Sequence, residues 1–525
     1  MAETVERSGY LKLLDRYRNQ DAVKVLIGMR RVGKSTLMRQ FVKHLTQTGV
    51  RDEDIIYINM ELLKNDRFSD GKILYDWIMA QYDGRKMYIL IDEVQLIDKW
   101  ERAVNSLRVD LDCDVYLSGS NAYLLSSDIS TLITGRSIQL TVLPLSLEEY
   151  IELGMGHQPK DALISYVKTG GLPVIRPDQT TEMNLLRVEA VKSDIILKDI
   201  CNRKKVDAWK IRKVTDYLFG EIGNKISMDT VAGELGMSTS TISEYFDLIT
   251  DSMMFMKVER YDLKGRDILK SLPKYYCTDL GMRATQPISA DSDFGRRLEN
   301  IVYLELLRRG NRVYVGKIGD YEVDFITVFE DHIDYYQVTK TLSDPKVMER
   351  EMRPFRMISG RGERYIITYD DVSQTKTQDV IITNIADFLI GDGGSNIGIK
   401  GMKPERHSAY MDAYEHINAY VHECSEILDT AITFENFPEL SDKLQSSFFD
   451  MQSTFKHPMV INDRFMQERL NILTKEEVRM FDSMMACTNQ NRSCGTHKPV
   501  SVGSLETLTR IRDEISQYVG SMTSQ

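Results

Sequence analysis

Short, mostly apolar runs recur through the first 150 residues, each followed by a stretch whose apolar side chains fall at helical spacing. Val23-Lys24-Val25-Leu26-Ile27, Ile55–Met60, Met87–Ile91, Asp114–Leu117 and Gln139–Leu143 read as strands. Runs of this kind suit strands buried on both faces of a parallel sheet. Ser35 to Leu45 places Leu37, Met38, Phe41 and Leu45 on one side of a helix. The alternation predicts a parallel sheet with helices on both faces. Pro144 to Tyr150 opens a helical lid, because Ser146 and Glu149 make a capping box. Gly170-Gly171-Leu172-Pro173 breaks that helical region.

The pattern changes downstream. Asp229 to Leu235 reads as a short helix, Gly236-Met237-Ser238 as a tight turn and Thr239 to Leu248 as a second helix, with Val231, Leu235, Ile242 and Leu248 inward. This is helix-turn-helix spacing, and Met253 to Arg260 reads as the start of a wing strand. The second helix offers Ser238, Thr239, Ser240 and Thr241 to a nucleic acid, but also Glu244 and Asp247, which repel phosphates. Arg203, Lys204, Lys205, Lys210, Arg212 and Lys213 precede it; Lys257, Arg260, Lys264 and Arg266 follow. Duplex DNA contact and packing as a lid are both open readings. Phe294 to Gly310 then reads as an amphipathic helix carrying Glu299, followed by strands over Glu322–Ile326 and Ile333–Lys340. Beyond a hinge at Gly391 to Asn396, Tyr410, Tyr414, Ile417, Val421, Cys424, Leu428 and Ala431 alternate at spacings of four and three. A helical bundle core or a seam for a protein partner or self-association follows from that.

Chemistry concentrates at Gly28-Met29-Arg30-Arg31-Val32-Gly33-Lys34-Ser35, which fits the G-x-x-x-x-G-K-[ST] loop that wraps nucleotide phosphates. The loop sits between a strand and a helix, where glycines free backbone N–H groups and the helix N-terminus adds partial positive charge. Gly28, Arg30, Arg31, Val32, Gly33, Lys34, Ser35 and Thr36 are the expected nucleotide contacts. Lys34 would reach the phosphates and Ser35 would ligate Mg²⁺. Asp92 and Glu93 end the third run, placing one carboxylate to hold Mg²⁺ and the next to polarise a water. Ser118-Gly119-Ser120-Asn121 could sense the γ-phosphate, and Arg136 could steady transition-state charge; a satisfied turn and an exposed arginine are the plain alternatives. Glu299, Asp324, Gln337 and Lys340 resemble in order the carboxylates and lysine of metal-dependent nucleases. Gln337 stands where a carboxylate belongs, Thr339 where lysine belongs, and Lys340 is one place late, on the opposite strand face. A relic of such a site is expected more than an active one.

The 525 residues suffice for three or four domains, and 28% charged residues against 42% hydrophobic is ordinary for a soluble globular chain. Six dispersed cysteines suggest reduced thiols and a cytoplasmic setting. Cys487, Cys494 and His497 lack an evident fourth zinc ligand, and His416 and His422 read as polar-face residues. Neither a signal peptide nor a run of transmembrane length is visible, so no membrane role is expected. The net charge of −11 argues against a generally basic nucleic-acid coat, although a local basic surface remains compatible with it. The region from Gly391 onward holds 13 Lys+Arg against 19 Asp+Glu, so −6 of that charge lies there.

The ordered set of motifs resembles the prokaryotic AAA-type ATPases with a C-terminal domain of unknown function. It comprises the phosphate loop, Ile91-Asp92-Glu93-Val94-Gln95, Leu117 to Asn121, Thr134-Gly135-Arg136, Pro144 to Tyr150, Gly170 to Pro173, Lys198-Asp199-Ile200, Gly295 to Asn300 and Glu322-Val323-Asp324-Phe325. The resemblance spans about residues 5 to 390. It implies an α/β chain: a P-loop NTPase parallel sheet with a helical lid, a winged helix-turn-helix, a restriction-endonuclease-like α/β module and, beyond the resemblance, an all-α extension. The expected boundaries are 1–150, 151–290, 291–390 and 400–525. ATP and Mg²⁺ are the expected cofactors, with Lys34, Ser35, Asp92 and Glu93 at the nucleotide and Ser120 or Asn121 as sensor. The favoured expectation is an ATPase switch engaging DNA or a protein. An ATP-gated nuclease and a nucleotide-bound scaffold are the alternatives.

Overall fold

The computed structural model describes residues 5–119, 137–201, 205–265, 267–286, 293–328 and 332–390, with Arg510 alone beyond them. The chain divides near residue 398 into two compact units. The fold described below is that of the first; the expected acidic extension, with its seam, cysteines and histidines, lies outside the described residues apart from Arg510.

Five strands form a wholly parallel sheet: β1 (Val23–Ile27), β2 (Ile55–Asn59), β3 (Met87–Asp92), β4 (Cys113–Gly119) and β5 (Ser137–Thr141), in the order β2-β3-β4-β1-β5. Side-chain alternation explains why both faces are covered. Val23, Val25 and Ile27 face a core with Ile89, Ile91, Val115, Leu117, Trp100 and Val104. Leu26, Leu90 and Tyr116 face the opposite core, built by Leu37, Met38, Phe41 and Leu45 of helix Lys34–Gln47 and Tyr10, Leu13 and Leu14 of helix Ser8–Arg16. Lys24 is fully buried within β1; its ammonium lies 2.5 Å from Asp114 Oδ1 on β4 and is thereby compensated. β5 begins two residues before the apolar run that predicted it. Pairing with β1 sets its limits, while Val142 and Leu143 leave the ladder buried, with Val142 N–H donating to Ile27 O at 2.7 Å.

A helical layer follows. Ser146 caps helix Leu147–Glu152 with the reciprocal Glu149 bond that the sequence predicted. Helix Pro159–Thr169 ends at Gly170, whose φ of 71° is one that glycine tolerates. Helix Thr181–Asp194 runs on as a π-helical segment, Ile195–Cys201. Helix Ala208–Gly220 precedes the short helix Met228–Leu235, a left-handed Gly236 at φ 67° and helix Thr239–Asp251, which is capped by Ser238.

The strands after this helix pair enter a second, eight-stranded mixed sheet. β6 (Phe255–Asp262), β7 (Asp267–Cys277), β8 (Val313–Ile318), β9 (Tyr321–Val328), β10 (Ile333–Thr339), β11 (Arg364–Thr368), β12 (Thr375–Thr377) and β13 (Val380–Asn384) lie in the order β12-β13-β11-β10-β9-β8-β6-β7. The β6–β7 hairpin is therefore the edge of this sheet, joined to it where β6 runs parallel to β8. One face packs on Met352 and Phe355 of helix Pro345–Arg356. On the other, Phe325, Tyr336 and Val338 join Leu298, Ile301 and Val302 of helix Phe294–Arg308 in a core continuous with the first sheet. Arg308 ties this helix to the segment that follows the first sheet by a polar contact as well, donating to Pro144 O at 2.8 Å while Glu305 of its own helix accepts from it at 2.9 Å.

Candidate functional site

β1 delivers the chain into the phosphate loop, and helix Lys34–Gln47 leaves it from a left-handed Gly33 at φ 105°. That backbone angle accounts for glycine there, since a Cβ would be strained. Lys34 is buried and donates to Gly28 O at 2.9 Å and Met29 O at 3.2 Å, so the loop's own carbonyls hold its ammonium. Burial lowers its pKa, opposed by the charges of Glu93, Asp92 and Asp199. Ser35 and Thr36 begin the helix and are half-buried.

Across β4, which separates β1 from β3, lies the acidic pair. Asp92 is fully buried and dressed by neutral donors: Asn59 Nδ2 at 2.7 Å, Tyr57 OH at 3.2 Å, and the Ser118 hydroxyl. Burial and the Asp92 charge push the Tyr57 phenol up to about 12, which keeps it a hydrogen donor. Glu93 sits in the left-handed region at φ 58°, its N–H donating to Ser118 Oγ at 3.2 Å and its Oε2 accepting from Gln95 at 2.5 Å. Among the described residues neither carboxylate has an ion-pair partner. A buried ammonium over carbonyls, within the electrostatic reach of two buried carboxylates that make no ion pair among the described residues, is a donor set that fits a nucleotide with Mg²⁺.

The loop arginines point elsewhere. Arg30 grips Asp199 of the π-helical segment through Nε and Nη2, with the closest contact at 2.8 Å; Arg31 meets Asp194 at 3.2 Å. The loop is thus tied to helix Thr181–Asp194 and its π-helical extension, and Lys198-Asp199-Ile200 acquires a physical role. Arg7 also went unread in the sequence. It is buried, bonds Glu149 at 2.6 Å and Leu143 O at 3.0 Å, and approaches Val32 O of the loop at 3.5 Å. A lone arginine upstream gives no pattern that could have flagged it. Ser118 is placed as described, whereas Ser120, Asn121 and Arg136 lie outside the described residues.

The second sheet brings Glu299 and Asp324 together but draws in partners from unexpected places. Asp324 Oδ2 accepts from Val338 N–H, and Gln337 Oε1 accepts from Asp324 N–H, both at 2.8 Å. Gln337 in turn donates to Glu351 at 3.1 Å. Lys340 lies 5.9 Å above the Phe294 ring, whereas buried Lys274 of β7 reaches the cluster. On helix Thr239–Asp251, Ser240, Ser243, Glu244 and Asp247 are exposed, and Thr239 is bonded to Asp229 at 3.1 Å. Exposed Trp209 has the half-buried Lys213 ammonium 5.4 Å above its ring. Arg203, Lys204 and Arg266 lie outside the described residues. No helix among the described residues is long and apolar enough to cross a membrane.

Comparison with known proteins agrees with this geometry at the level of the nucleotide domain. Residues 20–151 match an AAA domain family, and residues 160–292 match a domain of unknown function. An uncharacterized protein of Haemophilus influenzae is 33% identical over 399 residues, covering 74% of this chain and 98% of its own length. An uncharacterized protein of Methanocaldococcus jannaschii is 28% identical, covering 70% and 86%. Among solved structures, Saccharomyces cerevisiae RIF2 covers 36% of this chain and 70% of its own at 12% identity, and Drosophila ORC bound to DNA covers 57% and 85% at 12%. Their TM-scores of 0.20 and 0.22 are too low to carry an argument. With a third of positions shared along nearly all of the Haemophilus relative, the chain belongs to that protein's family, one built on an AAA-type nucleotide-binding domain.

Proposed function

We propose that the chain is an ATP- and Mg²⁺-dependent ATPase that works as a nucleotide-driven switch. The observation that carries this is the buried Lys34 ammonium held on loop carbonyls beside two buried carboxylates that make no ion pair among the described residues. Lys34 and the loop N–H groups would bind the phosphates, with Gly28 and Gly33 allowing the close approach. Ser35 and Asp92 would hold Mg²⁺, which supplies charge neutralisation on the phosphates. Glu93 would orient and deprotonate the attacking water.

Arg30 and Arg31 give the switch its route. Phosphates entering the loop would compete with Asp199 and Asp194 for these guanidiniums, loosening the tie to helix Thr181–Asp194 and the helix pair beyond. The output would be contact with DNA or a protein through that pair. The exposed Glu244 and Asp247 count against base reading by helix Thr239–Asp251 and for backbone or protein contact by its flanks. The test is phosphate release by the parent and by Lys34→Ala, with and without duplex DNA at two salt concentrations, beside sizing in each nucleotide state. Turnover lost in the variant supports the ATPase; turnover retained removes it. Salt-sensitive stimulation by DNA would assign DNA as the partner.

A further inference from the structure

On β7, three carboxylates from two elements, Glu299 of helix Phe294–Arg308 and Glu322 and Asp324 of β9, converge on the ammonium of Lys274. Lys274 Nζ lies 2.8 Å from Glu322 Oε1 and 3.9 Å from Glu299 Oε2. The other oxygen of Glu322 takes Lys225 at 2.7 Å. Tyr276 OH donates to Glu299 at 3.3 Å, and Asp324 spends one oxygen on Val338 N–H. Glu351, which could have replaced the carboxylate missing at Gln337, is held by Gln337 Nε2 and by Arg350 at 2.6 Å. Burial works against the Lys274 charge, yet Glu299, Glu322 and Asp324 outweigh it and raise its pKa, so it stays an ammonium. Among the described residues no group of three or more acidic, histidine or cysteine side chains is arranged to hold a metal ion.

We infer that Lys274 stands where a nuclease would carry its divalent cation, and that the cluster is a lysine-filled clasp and not a metal site. A Mg²⁺ ion needs near-octahedral oxygen ligands about 2.0–2.1 Å away. A fixed ammonium among the same oxygens both occupies the space and repels the ion. The clasp has a use of its own. Lys225 precedes helix Met228–Leu235 and Lys274 lies on β7, so Glu322 grips the helix-pair segment at both ends, while Glu299 anchors it to helix Phe294–Arg308. The carboxylates that resemble a nuclease site thus fix the helix pair to the second sheet.

The experiment is Mn²⁺ titration of full-length, nucleotide-free protein followed by the electron paramagnetic resonance of free Mn²⁺. The phosphate loop is intact in every arm, so its background is common. The parent is expected to bind no Mn²⁺ that Asp324→Asn removes. Lys274→Gln, which deletes the ammonium, is expected to bind Mn²⁺ at least tenfold more tightly than the parent, with the gain lost when Glu299→Gln is added. Parent binding abolished by Asp324→Asn overturns the inference, as does a folded Lys274→Gln protein without any gain. Should Lys274→Gln not fold, the parent and Asp324→Asn titrations decide, supported by plasmid nicking with Mn²⁺, which is expected to be absent.

Discussion

The chain holds two sets of carboxylates, one at the end of β3 and one shared between helix Phe294–Arg308 and β9, and they differ in what neutralises them. Asp92 and Glu93 are surrounded by two amides, a hydroxyl and a phenol, while Lys34 is turned onto loop carbonyls. Glu299 and Glu322 have an ammonium in their midst, and in the same pocket burial and the Glu299 charge push Asp324 well above the usual carboxylate range. Neutral donors orient a carboxylate without cancelling its charge, so the first set remains able to recruit a cation. The internal ion pair cancels the second. Motif order alone does not separate the two cases; the counter-charge does.

The sharpest way to break this contrast is at the first set. Lys34→Ala and Glu93→Gln are each expected to lower phosphate release by roughly 10² to 10³-fold, with ATP binding retained in Glu93→Gln, as measured by steady-state turnover and calorimetry. At the second set the expected loss is of stability. Lys274→Met strands half-buried carboxylates and should cost about 1–3 kcal/mol in denaturant unfolding, less than for a fully buried pair because solvent reaches them, with nucleotide binding unaffected in protein that remains folded. If that substitution is neutral, the clasp contributes nothing.

A third carboxylate tests charge burial without any nearby cation. Asp279 is fully buried, and burial pushes its pKa up to about 6 although Gly171 and Gly281 N–H groups favour the ionised form. The folded state holds a proton that the unfolded chain releases from about pH 4 upward, so this group's contribution to stability falls until about pH 6 and is level beyond. The stability of Asp279→Asn relative to the parent should therefore rise by up to about 3 kcal/mol across that window, read from urea midpoints at several pH values. Smallest of all, the quarter-exposed Arg30 and its partner Asp199 should show a coupling of about 1 kcal/mol or less in a double-mutant cycle, because solvent screens the pair.

The nucleotide domain was legible because its signals are local. Met87–Ile91 is a continuous apolar run, Val23–Ile27 is one broken only by Lys24, and each leads into the residues proposed to do the chemistry. The capping box at Ser146 and the Gly236 turn are likewise short-range rules. What escaped depends on distant partners. Arg30 and Arg31 read as phosphate contacts because they lie in the loop, yet Asp199 and Asp194 hold them. Lys274 sits in a strand interrupted by Pro273 at the edge of its sheet, and nothing in β7 announces that Glu299 and Glu322 await it. Membership of β6 and β7 in the second sheet rests on the β6–β8 pairing, whose residues stand more than fifty positions apart.

Arg308 bears on how this chain can be cut for expression. Its guanidinium spans Glu305 and the Pro144 carbonyl, and Leu298, Ile301 and Val302 of the same helix share one core with the nucleotide domain. A fragment ending near residue 290 would keep every nucleotide motif but bare an oily flank where that helix docks. Such a truncated product is expected in inclusion bodies, whereas one reaching residue 390 keeps its flank covered.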